Sequence, residues 1–273
     1  MARFLRLALV AIGLIGRCLA AHPVLATTLD EIYQSQTIVT GQGEENRQTG
    51  FRDCLDRVLV RVSGDQRLLD KPEIADLRDK AGSFVDAFRY HDRLEGIPIH
   101  DEQGTHDRPH DLTCFYKPDV IDKVLASLGS RPWLGDRPTL AVFLVAEQGA
   151  RHFVLSAEEQ RSETMRESFV NATGPMLIHV AFPKAAQLAG LGEKALRAAD
   201  MARLDRQAKQ VGGAQALAGS IVWSDKELGW IADWRLADRG RTYRWQARGV
   251  SFDEAFRVAI RGAVQILSGN GQP

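Results

Sequence analysis

The spacing of hydrophobic residues in the first half of the chain predicts alternating strands and helices. Residues 32–39 (IYQSQTIV) alternate in the manner of a strand that is buried on one face. Residues 44–62 then carry apolar side chains at helical spacing, which predicts a long amphipathic helix. A second strand at 112–116 and a helix beginning at Pro118 follow. Together these elements form a predicted N-terminal α/β module, residues 27–131.

A stretch rich in glycine and proline (GSRPWLGDRP) separates this module from a second pattern, which runs to the end of the chain. Short apolar runs alternate with segments whose apolar residues recur at helical spacing. This pattern predicts a C-terminal βαβαβββα module over residues 136–269. Its strands are expected at 140–146, 176–182, 217–223, 229–236 and 242–250. Its helices are expected from a capping pair, Ser156 and Glu159, to about residue 171, at 193–211 and at 252–267. The predicted fold class is α/β to α+β, with helices packed on a mixed β-sheet.

Two helical segments suggest an internal repeat. Residues 51–64 (FRDCLDRVLVRVSG) align without gaps to residues 256–269 (FRVAIRGAVQILSG), and each follows a predicted strand. Two related strand–helix modules would explain the agreement. Two unrelated amphipathic helices would also explain it, because a buried helix face restricts the residues that it carries.

The N-terminus predicts a secretory signal peptide over residues 1–26. Arg3 and Arg6 precede an apolar stretch that is too short to span a bilayer as a mature helix, and cleavage is expected after Ala20 or Ala26. An uncleaved anchor is the alternative. No later apolar run exceeds seven residues. We therefore expect a soluble, periplasmic protein without a membrane span after removal of the signal.

Composition changes when the signal peptide is set aside. The whole chain has 35 basic and 35 acidic residues, and the signal carries three arginines and no acid, so the mature chain has a net charge of −3. Hydrophobic residues at 44% and charged residues at 26% exclude a disordered chain. The charge balance argues against a nucleic-acid binder with a large basic surface.

Three segments resemble a bacterial family, the domain of unknown function 2066. They are the run GQGEENRQTGFRDCLDRVLVRVSGD, the loop GIPIHDEQGTHDRP and the C-terminal WxxDWRL…YRWQARGVSFDEAFRVAIRGA. The resemblance covers nearly the whole mature chain and implies a protein secreted by a Gram-negative bacterium. It implies no activity. The family's version of the loop lacks histidine at positions 106 and 110, which weakens an ancestral metal site there.

The mature chain retains Cys54 and Cys114, one on a predicted helix and one on a predicted strand. In an oxidising compartment such a pair is expected to form a disulfide where the geometry permits. Closing a loop of this length would stabilise the protein by about 4 kcal/mol in the chain-entropy model. The alternative is two separate buried thiols that act as small apolar side chains.

The polar loop 91–111 is a candidate ligand site because it concentrates imidazoles and carboxylates, which bind zinc or copper. A solvated loop with local hydrogen bonds, in which Arg108 pairs with Asp101 or Glu102, is the alternative. The candidate metal ligands are His100, His106 and His110, and the candidate ligand or partner residues are Asp101, Glu102, Asp107 and Arg108.

Four tryptophans, at positions 223, 230, 234 and 245, fall in the three C-terminal strands. Trp230 and Trp234 share one strand face, and the opposite faces carry Asp233, Arg235 and further polar residues. The rings predict either a buried aromatic cluster beneath the last helix or a platform for cell-wall glycan.

No catalytic motif such as G-x-S-x-G, H-E-x-x-H or C-x-x-C occurs in the chain. We therefore expect an exported, non-catalytic accessory or protein-interaction protein of the cell envelope, with no cofactor. Its expected partner is another envelope protein or a cell-wall component, and not a nucleic acid. The alternative functions are glycan binding through the tryptophan strands and metal binding through the histidine loop.

Overall fold

A computed structural model describes residues 28–97 and 107–273. The N-terminal part is built around a three-stranded antiparallel sheet with the order β1-β3-β2. Its elements are α1 (Leu29–Ile32), β1 (Gln34–Thr40), α2 (Glu44–Ser63), a 3₁₀ turn (Gln66–Asp70), α3 (Ile74–Asp79), α4 (Ala81–Phe84), β2 (Ala87–Asp92), β3 (Pro109–Phe115) and α5 (Pro118–Ser127).

Helix α2 packs on one face of this sheet because its apolar side chains recur at helical spacing. Phe51, Cys54, Leu55 and Val58 meet Leu112 and the other inward residues of β3 in one buried cluster. The helix begins at two acidic residues and ends at Gly64, whose φ of 75° suits glycine at a helix C-terminus. Among residues 28–97 and 107–273, no helix of this cluster covers the opposite face of the sheet.

The C-terminal part is a six-stranded mixed sheet with helices on both faces. The strand order is β5-β4-β7-β8-β9, and β6 also pairs with β4. The elements are β4 (Thr139–Gln148), β5 (Arg151–Val154), α6 (Glu163–Thr173), β6 (His179–Ala181), α7 (Glu193–Ala198), α8 (Met201–Val211), β7 (Gln215–Ser224), β8 (Gly229–Asp238), β9 (Arg241–Val250) and α9 (Phe252–Leu267).

The two faces of this sheet are covered unequally. Helices α6 and α9 pack across one face and enclose the largest core cluster, which contains Trp230, Trp234 and Trp245. Helices α7 and α8 cover the other face over β4 and β7, and their cluster reaches β8 only at Ala237. Most of the second face of β8 and β9 is therefore open.

Two buried arginines connect the N-terminal and C-terminal parts. Arg61 on α2 donates from Nε to the carbonyl of Pro175 at 2.7 Å and from Nη1 to the carbonyls of Glu31 and Gln34. Arg137 donates to the carbonyls of Met176 and Arg61, each at 2.8 Å. Burial lowers the pKa of each arginine to about 10. The parts are thus joined by hydrogen bonds to backbone carbonyls.

The structure confirms the predicted class, an α+β fold with helices packed on sheets. The observed ends of α2 and α9 agree to within a residue with the ends predicted from the spacing of their apolar residues. Several other details of the prediction were wrong. The chain turns through α1 before β1, and β5 is an additional strand.

The expected strand at 176–182 is reduced to β6. The backbone there passes through a 3₁₀ turn and then through Leu177 at a φ of 51°, so only three residues pair with β4. The expected helix at 193–211 is broken at Ala199, which is extended. Asp200 starts α8 by accepting a hydrogen bond from the backbone N–H of Arg203 at 2.6 Å.

The predicted signal peptide, residues 1–26, lies outside the described residues. Among the residues that the structure describes, no helix combines the length and apolar character that crossing a membrane requires.

Candidate functional site

Four of the predicted loop residues, His100, Asp101, Glu102 and His106, lie outside the described residues. Of the others, His110 is not in a loop at all. It lies in β3, opposite Val39 of β1, because the strand begins three residues earlier than the apolar run that starts at Leu112. The prediction failed there because Pro109 and the charged residues around it resemble a loop.

The side chain of His110 is 9% exposed, and both of its ring nitrogens have partners. Nδ1 lies 2.8 Å from the carbonyl of Arg108, which only accepts, so the proton belongs on Nδ1. Nε2 then accepts from the amide of Gln42 at 3.1 Å. In this arrangement His110 has no lone pair left for zinc or copper. Within residues 28–97 and 107–273, no group of three or more His, Cys, Asp or Glu side chains is placed to hold a metal ion.

Arg108 and Asp107 support the backbone around this loop. Arg108 pairs with Asp92 at 3.3 Å and donates to the carbonyls of Leu94 and Ile97. The carboxyl group of Asp107 lies against Gly41, where a Cβ atom would come within 2.5 Å of it. Both described residues of the candidate partner loop thus have local structural contacts.

Cys54 and Cys114 lie beside each other in the N-terminal core, and both side chains are fully buried thiols in the structure. Interaction with Cys114 lowers the pKa of Cys54. The same interaction, together with burial, raises the pKa of Cys114. The structure therefore brings the two predicted partners together, and the disulfide between them stays a prediction.

Three of the four clustered tryptophans belong to the core. Trp230, Trp234 and Trp245 are 7%, 0% and 8% exposed, so their ring faces are not available to a sugar. Trp234 packs edge-on against Phe169 and Phe256 with ring centroids 5.8 and 6.2 Å apart. This packing removes the physical basis for a glycan platform built from these rings.

The opposite side of the same strands forms the candidate site, which we call the arginine face. It lies on the open surface of β8 and β9, next to the end of α7. Because side chains alternate along a strand, the residues between the buried tryptophans project together from this surface. The arginine face consists of Arg197, Ser220, Asp233, Arg235, Arg244, Gln246 and Arg248.

Two arginines at the centre of this face carry like charges at directly paired positions. Arg235 of β8 lies opposite Arg244 of β9 in the strand register. Like charges in this position destabilise a sheet. Burial and, secondarily, the charge of Arg244 lower the pKa of Arg235 from its ordinary value. An anion placed between the two side chains would relieve this repulsion.

The partners of the two central arginines are not carboxylates. Arg235 donates to the carbonyls of Ala199 and Leu196 at 3.0 and 3.1 Å, which fixes its direction. Arg244 makes no side-chain hydrogen bond or ion pair with any residue in the described ranges. Its guanidinium group is thus free to meet a ligand.

The other two arginines of the arginine face are paired with carboxylates. Arg248 pairs with Glu227 at 3.0 Å, and Arg197 pairs with Glu147 at 2.9 Å. Asp233 accepts from the amide of Gln246 at 2.8 Å. The charges without an ionic partner among the described residues are therefore Arg235, Arg244 and the carboxylate of Asp233, which leave this face with a net positive charge.

A depression of about 790 Å³ borders this face, and Gln66 and Val258 of α9 also line it. Its lining includes Arg197, Arg235 and Arg244 on the sheet side, and Gln272 and Pro273 from the C-terminal segment. Gln272 donates to the backbone carbonyl of Arg244 at 2.6 Å, so this segment lies along the edge of β9. The arrangement can bind an extended surface that bears carboxylates.

The sequence alternation placed these arginines on the reverse face of the tryptophan strands. It did not identify them as a site, because the pairing of Arg235 with Arg244 depends on the register of β8 and β9. These strands are largely uncovered on this side because the described helix α7 is short and α8 lies over β4 and β7.

Comparison with known proteins identifies only part of the chain. Residues 26–134 match the sequence profile of a family described as Domain of unknown function (DUF8605). No curated protein and no solved structure matches the chain. The resemblance to the domain of unknown function 2066 was therefore wrong. Its longest segment is an amphipathic helix, and packing against a core forces similar apolar patterns on unrelated helices.

Proposed function

We propose that this protein is an exported, non-catalytic interaction protein of the cell envelope, which binds an acidic surface of a partner protein through the arginine face. The observation that carries the proposal is the directly opposed Arg235–Arg244 pair, without a carboxylate partner, on an open sheet surface. Arginine is suited to this role because its planar fork binds carboxylates with two hydrogen bonds. The proposal assigns no cofactor.

The shape of the arginine face favours a folded protein partner. The positive residues lie on a flat sheet surface and are interrupted by Asp233 and Gln246, so positive charge does not continue along a track. A repetitive anionic polymer would gain most from a continuous track. A protein surface supplies carboxylates at a few fixed positions, which matches the two central arginines.

Arg244→Gln is expected to weaken binding of an acidic peptide about fivefold, because the exposed guanidinium group loses its carboxylate without loss of an internal contact. The probe is a fluorescein-labelled peptide that carries a few glutamates among neutral residues, and binding is followed by fluorescence anisotropy at low and high salt. Arg244→Glu is expected to weaken binding further, and added salt is expected to reduce the difference.

Arg206→Gln is the matched control, since Arg206 is an exposed arginine on α8 and the charge change is identical. Equal binding by the Arg244 and Arg206 variants would contradict the proposed site. Polygalacturonate of the same charge serves as the glycan comparison. That polymer could bind more tightly than the peptide, and its binding could depend on Arg244. This result would identify the ligand as an anionic glycan and not as an acidic protein surface.

Export and the disulfide are tested in one measurement, the intact mass of the protein isolated from its host after denaturation in N-ethylmaleimide without reductant. The expected N-terminus follows Ala20 or Ala26, and Cys54 and Cys114 are expected to carry no adduct, because the oxidising compartment closes the bond. Reduction before alkylation should add two adducts. Two adducts without reduction would exclude the disulfide, and an intact Met1 would contradict cleavage.

A further inference from the structure

The edge strand β1 carries a regular pattern of unpaired backbone groups. The backbone N–H of Tyr116 donates to the carbonyl of Tyr33 at 3.0 Å, and the N–H of Gly41 donates to the carbonyl of Arg108 at 2.8 Å. Tyr33 and Gly41, which flank β1, therefore both bond towards β3, and both are odd-numbered. In an antiparallel ladder the bonded positions alternate, so the backbone groups of the even-numbered residues point away from β3.

The two ends of this outer edge are already occupied. The carbonyl of Gln34 accepts from Arg61, and the carbonyl of Thr40 accepts from the side-chain amide of Asn46. Between them, the backbone N–H and C=O groups of Gln36 and Ile38 have no partner in the described part of the chain. Unpaired groups on an edge strand are a template for a further strand.

An open groove lies directly beside these groups. Its volume is about 640 Å³, and its walls include Gln36, Ile38 and Arg57 on one side and Gly174 and Pro175 on the other. Ile38 is 54% exposed and projects from the uncovered face of the sheet. Arg57 makes no ion pair or side-chain hydrogen bond with any residue in the described ranges. The groove thus offers backbone partners and an apolar contact, and its walls carry the carboxylates of Asp53 and Asp111 as well as Arg57.

We propose that an extended segment of a partner protein, about five residues long, binds in this groove as an additional strand beside β1. Its backbone pairs with Gln36 and Ile38, and the capped ends at Gln34 and Thr40 limit the length of the ladder. Five residues in strand conformation span about 17 Å. An apolar side chain of the segment packs on Ile38.

A second copy of the protein fits this groove less well than a short segment does. Pairing β1 with its own copy would bring a second α2 and a second Gly174–Pro175 turn to the same position. This site is separate from the arginine face, and the proposal does not rest on it.

The experiment uses Ile38→Pro, which removes the outward N–H without removing a hydrogen bond between β1 and β3. The probe is the tightest binder selected from a phage-displayed library of random nine-residue peptides on the whole mature protein, then synthesised. Ile38→Pro is expected to weaken its binding at least tenfold. Ile38→Val keeps the N–H group and should bind within twofold of the wild type, and Arg244→Gln should not affect binding.

A second measurement does not depend on the folding of the proline variant. Methylating the peptide backbone nitrogens one at a time should weaken binding at every second position and leave the intervening positions unaffected. Failure to select a binder, or binding that is insensitive both to Ile38→Pro and to backbone methylation, would overturn the proposal. Dimerisation of the free protein in sedimentation, abolished by Ile38→Pro, would also overturn it by identifying a second copy as the occupant.

Discussion

Arg61→Met is expected to lower the free energy of unfolding by about 3 kcal/mol, measured by urea denaturation followed by circular dichroism. The side chain is 9% exposed and donates to the carbonyls of Glu31, Gln34 and Pro175. Methionine fills a similar volume, but it leaves these carbonyls without a donor. An unsatisfied buried acceptor costs about 1–3 kcal/mol, and partial entry of water reduces the sum.

Arg52→Met is the control for this variant. Arg52 lies on the same helix, and its side chain is 50% exposed beside Asp79. An exposed ion pair contributes little, so the free energy of unfolding should change by no more than about 0.5 kcal/mol. If Arg61→Met changed stability as little as Arg52→Met, the buried arginine would not join the two parts of the protein.

Gly219→Ala is expected to destabilise the protein by about 3 kcal/mol, although it adds a single methyl group. A Cβ atom at this position would lie 2.3 Å from the ring of Trp234. The ring is fully buried and packs against the aromatic residues of α6 and α9, so the added methyl group would push it against these neighbours. The midpoint of urea denaturation measures the loss.

Ser220→Ala provides the matched control because Ser220 is the next residue in β7 and projects from the opposite, partly open face. The free energy of unfolding of the Ser220→Ala variant should remain within about 0.5 kcal/mol of that of the wild type. A small effect of Gly219→Ala would show that the tryptophan can move away, and it would contradict the tight packing of the aromatic core.

The elements with the strongest hydrophobic periods could be predicted from the sequence. Helix α9 and strands β7 to β9 were identified because one core determines which of their positions are apolar. Helix α2 was also located, but the role of Arg61 could not be predicted. A polar residue beside Val60 and Val62 suggests a solvent-facing position when only one core is considered. The structure buries it because the C-terminal part covers that side of the helix.

The candidate site was harder to predict than the fold. Period-two alternation separated Trp234 from Arg235, and one of the two interpretations that it allowed, a buried aromatic cluster, agrees with the structure. It gave no information on which arginine of β9 faces Arg235, or on the absence of a covering helix. The backbone pattern of β1 was also inaccessible, because side-chain hydrophobicity does not report which N–H groups of an edge strand are unpaired.

The position of Val60 has a consequence for how the chain can be divided. This residue of α2 is 5% exposed and belongs to the core of the C-terminal sheet, while its neighbours on the helix belong to the N-terminal core. The segment that matches a known family, residues 26–134, therefore does not contain all the packing partners of its own helix. Excised at that boundary, it would present an apolar helix surface and an arginine that has lost its Pro175 acceptor.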